Sequence, residues 1–158
     1  IDMLIRNVER TIASGKGEWI MTDHEKFEGF KQEMIAENET RYGREIRERY
    51  GDDAIDGSNA RIMGLTEEEY EKTQEMSRQI NAALKAACEE ADPAGEQAQR
   101  ACALHKEWIG YFWKQYSREA HLGLTRMYVE DPRFRAYYDE IAQGCADLLH
   151  EAMKIYCR

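Results

Sequence analysis

Proline occurs only twice in the 158-residue chain, each time directly after an aspartate, at Asp92-Pro93 and Asp131-Pro132. Almost no stretch alternates apolar and polar residues with the period of two that a half-buried strand requires. Apolar residues return instead every three or four positions, the spacing that stacks side chains along one face of a helix. The chain is therefore expected to be all-α. At each Asp-Pro step the aspartate is expected to cap a helix whose first residue is the proline, since a missing N–H costs nothing there.

Thr22 and Glu25 form a T-x-x-E capping box that opens a helix with Phe27, Phe30, Met34 and Ile35 on one face. Gly43 and Gly51 bracket the short amphipathic segment REIRERY, and DDAIDGSNARIMG reads as a further weak helix. A second box, Thr66 to Glu69, opens a long helix through Tyr70, Met76, Ile80, Leu84 and Cys88. Beyond Pro93 one helical face carries Ala101, His105, Trp108, Phe112 and Tyr116, with a break expected near Ser117 and a short helix after it holding Leu122, Leu124 and Met127. One last helix is expected from Asp131-Pro132 onward, its stripe running Phe134, Tyr137, Tyr138, Ile141, Cys145, Leu148, Leu149, Ala152, Ile155 and Tyr156. Upstream, DMLIRNVERTIA sets apolar groups at near-heptad spacing, which predicts the end of a coiled-coil linker helix over residues 1–20. The opening Ile1, in place of an initiator methionine, reads as the start of a fragment.

Charge is distributed unevenly. The net charge of −9 lies wholly between Met21 and Asp92, where 19 acidic residues face 10 basic ones. An acidic surface repels phosphate, so this segment is a poor nucleic-acid contact. Residues 21–64 also carry few large apolar groups, and their burial is small against the entropy of ordering them; residues 65–158 are expected to form the stable core. No run of eighteen apolar residues and no basic-then-apolar leader is present, so neither a membrane span nor a secretory signal is expected, and the chain reads as cytoplasmic. The four cysteines are far apart with no C-x-x-C pair and are read as reduced, mostly buried thiols.

Most chemistry is without support in the residues. A dinuclear carboxylate centre needs E-x-x-H on two helices, and none occurs. Cys102 and His105 share a helical face, but a closed zinc site needs four ligands and no second pair has matching spacing. Neither G-x-S-x-G nor a phosphate-binding glycine loop is present. Asp52/Asp53 and Glu67 to Glu69 stand at helix starts, where the backbone dipole favours negative charge without any catalytic role. No enzyme activity and no cofactor are expected. What stands out is the aromatic density: ten of the sixteen aromatic residues lie between Trp108 and Tyr156. Trp108, Tyr111, Phe112, Trp113, Tyr116, Tyr128, Tyr137 and Tyr138 would either fill a core or wall a cleft, and the residues alone leave both readings open.

The segment HKEWIGYFW, followed by YSREAHLGLTRMYVEDPRFRAYYDEIAQGCADLLHEAM, resembles the TipAS-type drug-recognition domain at the C-terminus of MerR-family transcription activators. The upstream FEGFKQEMIAENETRYGREIRERYG is similar to the N-terminal part of that domain in the multidrug-responsive branch. The resemblance covers residues 21–158 and implies a globin-like all-α fold without haem, with a cleft for hydrophobic or peptide antibiotics. It further implies that residues 21–64 are mobile lid helices over a core at 65–158. A DNA-binding domain would precede residues 1–20, and the full-length protein would be a homodimer that touches DNA only through that domain. His105 and His121 match histidines of the family pattern. The ligand site is then expected to comprise those two, Trp108, Tyr111, Phe112, Tyr116, Tyr128, Tyr137 and Tyr138, with Phe27 and Phe30 from the lid. Thiopeptide-responsive members carry a cysteine two positions after the second histidine; Gly123 stands there, so covalent capture at that position is lost. The rival readings are a haem or metal protein ligated by His105 or His121, and a helical protein-interaction domain.

Overall fold

The computed structural model describes residues 22–158, and the regular structure of these described residues is entirely helical. The linker helix expected over residues 1–20 lies outside them. Helix α1 (Asp23–Asn38) starts where the capping box places it, with the Thr22 hydroxyl accepting from the Glu25 N–H at 3.1 Å. A π-helical turn (Glu39–Gly43), α2 (Arg44–Tyr50) and α3 (Asp52–Met63) follow. These elements belong to a first compact unit that runs to Glu67, and the second spans Glu68–Arg158.

Cations hold the first unit together. Lys31 is 1% exposed, yet its amine is fully employed: it donates to the carbonyls of Met63 at 2.6 Å and Leu65 at 2.9 Å and pairs with Glu28 at 2.8 Å. The same amine stands 4.7 Å over the Phe27 ring. A helix end has carbonyls with no partner of their own, and Lys31 serves those at the end of α3. Arg47 does the equivalent work at the other end, binding Glu39 at 2.6 Å, Asp52 at 3.0 Å and Asp56 at 2.7 Å. It thereby ties α2 to the π-turn and to the first turn of α3. The Glu39 carboxylate also accepts from Asn59 at 3.0 Å, and a side chain at Gly43 would collide with it. Gly51, at φ 87°, makes the reversal between α2 and α3.

The second unit contains α4 (Glu67–Glu90, which begins at the boundary), α5 (Glu96–Ile109), α6 (Arg118–Glu130), α7 (Pro132–Ile141) and α8 (Cys145–Tyr156). Helix α8 packs on α5, α6 and α7, and its Cys145, Ala146, Leu149, Ala152 and Met153 have no exposed surface. Ala98, Ala101 and Cys102 on α5 are equally buried, and such small side chains let helix backbones approach closely. Arg135 links three helices, donating to the Val129 carbonyl at 2.9 Å and clamping Asp147 at 3.0 and 3.2 Å.

Three boundaries differ from the sequence expectation. Asp92-Pro93 stops α4 but does not start α5: Ala91 takes φ 55°, Asp92 accepts from the Ala94 N–H at 3.0 Å within a turn, and Gly95 becomes the N-cap. The aspartate side chain closes its own turn before a helix can begin on it. Helix α5 ends at Ile109, so Phe112 and Tyr116 lie in the connection to α6 and not on a continued helical face. The single last helix is two. Ala142 is extended, Gly144 adopts φ 79°, and the Asp139 carboxylate accepts from the Ala146 N–H at 3.2 Å to start α8. Both pieces turn an apolar face inward, which is why the period runs unbroken through the bend. Asp131-Pro132 and Ser117, by contrast, cap α7 and α6 as expected, accepting from Arg133 at 2.9 Å and Ala120 at 3.0 Å.

Two substitutions test these supports. Lys31→Met keeps the aliphatic stem but leaves two carbonyls without their donor, and is expected to destabilise the first unit by about 2 kcal/mol. Gly144→Ala places a Cβ in left-handed backbone and is expected to cost about 1 kcal/mol. Urea titrations followed by circular dichroism read both; unchanged midpoints would contradict the roles assigned to these residues.

Candidate functional site

The polar atoms of the second unit converge on two histidines. His105 lies on the buried face of α5, one turn beyond Ala101, and His121 lies in the first turn of α6, positioned by the Ser117 cap. Both are essentially unexposed, at 1% and 0%. Their rings are 5.0 Å apart and nearly parallel, with His105 Nδ1 and His121 Nε2 sharing a hydrogen bond of 2.8 Å. The outer nitrogens are also occupied: Tyr116 Oη meets His121 Nδ1 at 2.8 Å, and Tyr128 Oη meets His105 Nε2 at 3.3 Å. The chain continues at both ends, since the Tyr116 hydroxyl is hydrogen-bonded to the Cys157 thiol and that of Tyr128 to that of Tyr138.

Rings surround this chain. Trp108 lies 5.4 Å from His105 and 4.9 Å from Phe112, while Trp113 presents its edge to His121 at 6.3 Å. Tyr128 is flanked by Tyr138 at 4.7 Å and Phe134 at 5.4 Å, and Tyr137 stands edge-on to Tyr138 at 5.0 Å. The Lys106 amine lies 4.7 Å over the Tyr116 ring. Such offset and edge-on arrangements suit the ring quadrupoles and add to the burial of area.

Burial decides the protonation of the pair. It pushes His105 down to about 3, helped by the charge that His121 would carry, and His121 down to about 4, helped by Lys106. Both imidazoles are therefore neutral near pH 7, each with one N–H and one bare nitrogen. Burial also raises Tyr116 to about 12 and Tyr138 well above the usual phenol range, so the hydroxyls stay protonated. The thiols follow the same rule: Cys102 is pushed up to about 12 and Cys145 still higher. A third buried histidine, His150, is lowered too by burial, with Nδ1 2.9 Å from the Thr125 hydroxyl. Since Thr125 donates to the Leu122 carbonyl, His150 is the donor in that bond.

Most of the residues expected at the site do come together. His105, His121, Tyr116, Tyr128 and Tyr138 form one hydrogen-bonded chain, and Trp108, Phe112 and Tyr137 pack around it. Tyr111 follows α5 in the turn, its N–H bonded to the Trp108 carbonyl, and Tyr137 is half exposed with its hydroxyl accepting from Asn81 at 3.1 Å. Phe27 and Phe30 sit in the first unit and stack on each other at 6.4 Å. Trp113, Phe134 and Cys157 also belong to the cluster and were not among the expected site residues. Trp113 and Phe134 were visible as aromatics, whereas nothing in the sequence ties Cys157 to Tyr116. Among the described residues no group of three His, Cys, Asp or Glu side chains is placed to hold a metal ion.

Comparison with known proteins places this geometry in context. The family model for the TipAS antibiotic-recognition domain matches residues 42–156. The HTH-type transcriptional regulator SkgA of Caulobacter vibrioides is 30% identical over 160 residues, covering 98% of this chain and 61% of that protein. The HTH-type transcriptional activator mta of Bacillus subtilis is 24% identical over 161 residues, covering 99% of this chain and 61% of that protein. The chain thus spans about three fifths of the length of these curated relatives. No solved structure matches significantly.

The neutral pair predicts acid sensitivity. A folded histidine whose pKa is depressed stabilises the protein fully above its unfolded value, near 6.5, and loses that contribution as pH falls toward the folded value. Stability is therefore expected to decline from about pH 6.5 downward, before the carboxylates begin to titrate near pH 4.5. The two histidines of the pair, taking up protons on unfolding, contribute a slope that approaches about 2.7 kcal/mol per pH unit, and His150, lowered in the same sense, adds to it. Urea midpoints between pH 7 and 5 measure it, and a flat profile for the second unit would exclude neutral burial of the pair.

Proposed function

Because the chain belongs to the TipAS antibiotic-recognition domain family, we propose that the ring-lined region of its second unit is an effector site for an apolar, aromatic antibiotic or drug-like molecule. The observation that carries this reading is the uncharged histidine pair set among rings. A ligand that meets charged groups must strip them of water, at high cost; one that meets neutral imidazoles and hydroxyls finds hydrogen-bonding atoms without that penalty. Trp108, Tyr111 and Phe112, half-buried, offer stacking surface, and the half-buried Tyr116 and half-exposed Tyr137 bring hydroxyl oxygens to it, over a histidine pair whose nitrogens are already engaged with one another and with Tyr116 and Tyr128. Tyr128 and Tyr138, almost wholly buried, fix the deeper side of the pair.

In this reading the chain is the sensing part of a MerR-type transcriptional regulator, which catalyses no reaction and works in the cytoplasm. The names of the relatives, a regulator and an activator of the HTH type, support it. DNA is contacted only by a domain outside this sequence, the segment over residues 1–20 joins two copies, and ligand shifts the regulator between two states. To carry such an equilibrium from 1:99 to 99:1, the ligand must favour one state by about 5.5 kcal/mol. Stacking of a two- or three-ring compound reaches that scale: about 250 Å² of apolar surface at about 25 cal/mol per Å² gives about 6 kcal/mol before the entropy of binding.

A thermal-shift panel of aromatic antibiotics tests the proposal. A true effector at a hundred times its dissociation constant adds about 2.7 kcal/mol and raises the melting temperature. Trp108→Ala is expected to lower the affinity for any such compound at least about tenfold. Compounds that shift parent and variant equally would place the site elsewhere, and a panel without any shift would count against effector binding.

A further inference from the structure

The hydrogen-bonded chain through the second unit obeys a strict proton rule. It runs Cys157, Tyr116, His121, His105, Tyr128, Tyr138, with distances of 2.8, 2.8 and 3.3 Å along the three central links. Each link needs one proton and only one: none leaves two lone pairs facing, and two bring hydrogens into collision. Each neutral imidazole has a single N–H to give. If His121 used its N–H on Tyr116 while His105 used its own on Tyr128, the link between the rings would be empty. If both pointed inward, that link would be doubly filled. Only two arrangements remain, and in each all the bonds point the same way.

In the first, Tyr116 donates to His121, His121 Nε2–H donates to His105, and His105 Nε2–H donates to Tyr128, which donates to Tyr138. The Tyr138 hydroxyl is then free to donate beyond the chain. In the second, every bond is reversed: Tyr138 donates to Tyr128, Tyr128 to His105, His105 Nδ1–H to His121, and His121 Nδ1–H to Tyr116. The hydroxyl of Tyr138 is then turned inward and accepts from beyond. Conversion passes one proton along each link in the same direction. One proton enters from water at the half-buried Cys157 end and one passes to water at Tyr138, which is 7% exposed, so the chain is neutral in both arrangements.

We propose that this chain is a two-state proton wire, in which a hydrogen-bond donor or acceptor meeting one end sets the tautomers of both histidines and the polarity of the hydroxyl at the other end. The proposal rests on the effector-site reading for its biological use, since it would let one site accept ligands of opposite hydrogen-bonding character. The wire itself is a property of the unliganded chain. It spans α5, the connection to α6, α6, α7 and the end of α8, so a change at one helix is registered at the others without any backbone displacement.

Long-range nitrogen NMR of the histidine rings, with 15N-histidine labelling of the unliganded protein, reads the state directly. The two imidazoles are expected to hold the same tautomer, both Nε2–H or both Nδ1–H. Variants at the two ends are expected to drive them in opposite directions. Tyr138→Phe removes the acceptor for the Tyr128 hydroxyl in the first arrangement, and a buried donor without an acceptor is the costlier loss, so both rings go to Nδ1–H. Tyr116→Phe would orphan His121 Nδ1–H in the second arrangement, so both rings go to Nε2–H. Each shift is expected to leave at least about a tenfold excess of the favoured form. In Tyr138→Phe the informative ring is His121, which does not touch the altered residue; in Tyr116→Phe it is His105. Unlike tautomers in the parent protein, or a response confined to the neighbouring ring, would overturn the proposal. Quinoline, an acceptor, and indole, a donor, are then expected to favour opposite tautomers. Failure of both to bind would count against the effector site, while the variants would still decide the wire.

Discussion

A hydrogen bond between two uncharged imidazoles fixes how α5 and α6 meet. His105 and His121 reach each other only if both rings are nearly coplanar and both outer nitrogens have partners of their own. Losing any member leaves a buried polar atom stranded, and in a medium from which water is excluded that loss is not made good elsewhere. The surrounding rings are therefore more than filling. Trp108, Trp113 and Phe134 keep water away from a polar chain whose every link depends on the next, and the same exclusion holds the histidines neutral.

The two units are made by different forces. In the first, Lys31 and Arg47 gather carbonyls and carboxylates, and apolar burial is confined to a few side chains such as Phe30, Ile62 and Leu65. In the second, α8 is enclosed by α5, α6 and α7 through apolar contact. Salt screens exposed charge pairs over about 10 Å and leaves hydrophobic contact almost untouched. Residues 21–67, with 12 acidic and 7 basic side chains, hold −5 of the net charge of −9, so screening has much to act on there.

Helix content was legible because period and caps are local properties. Thr22, Ser117 and Asp131 each announce a helix within four residues, and each does so in the structure. The break between α7 and α8 was not legible, because apolar period persists across it and a lone glycine, Gly144, gives no warning that it turns left-handed. Asp92-Pro93 misled for the opposite reason: it carries the same dipeptide as Asp131-Pro132, but the left-handed Ala91 before it turns the chain, so the aspartate closes a turn. At the site, residue types could single out two histidines and many rings. They could not reveal that the imidazoles bond to each other, since a spacing of sixteen residues across two helices depends on how α5 and α6 pack. The Cys157 contact, made by a residue outside any helical stripe, was beyond reach for the same reason.

The enclosed thiols have a consequence of their own. Cys102 and Cys145 show no surface, and burial keeps both protonated far above neutral pH, so neither offers the thiolate that alkylating reagents attack. Reaction at these sites has to wait for the helices to part. The second unit thus contains its own chronometer, in which the speed of sulfur modification counts how often that interior opens.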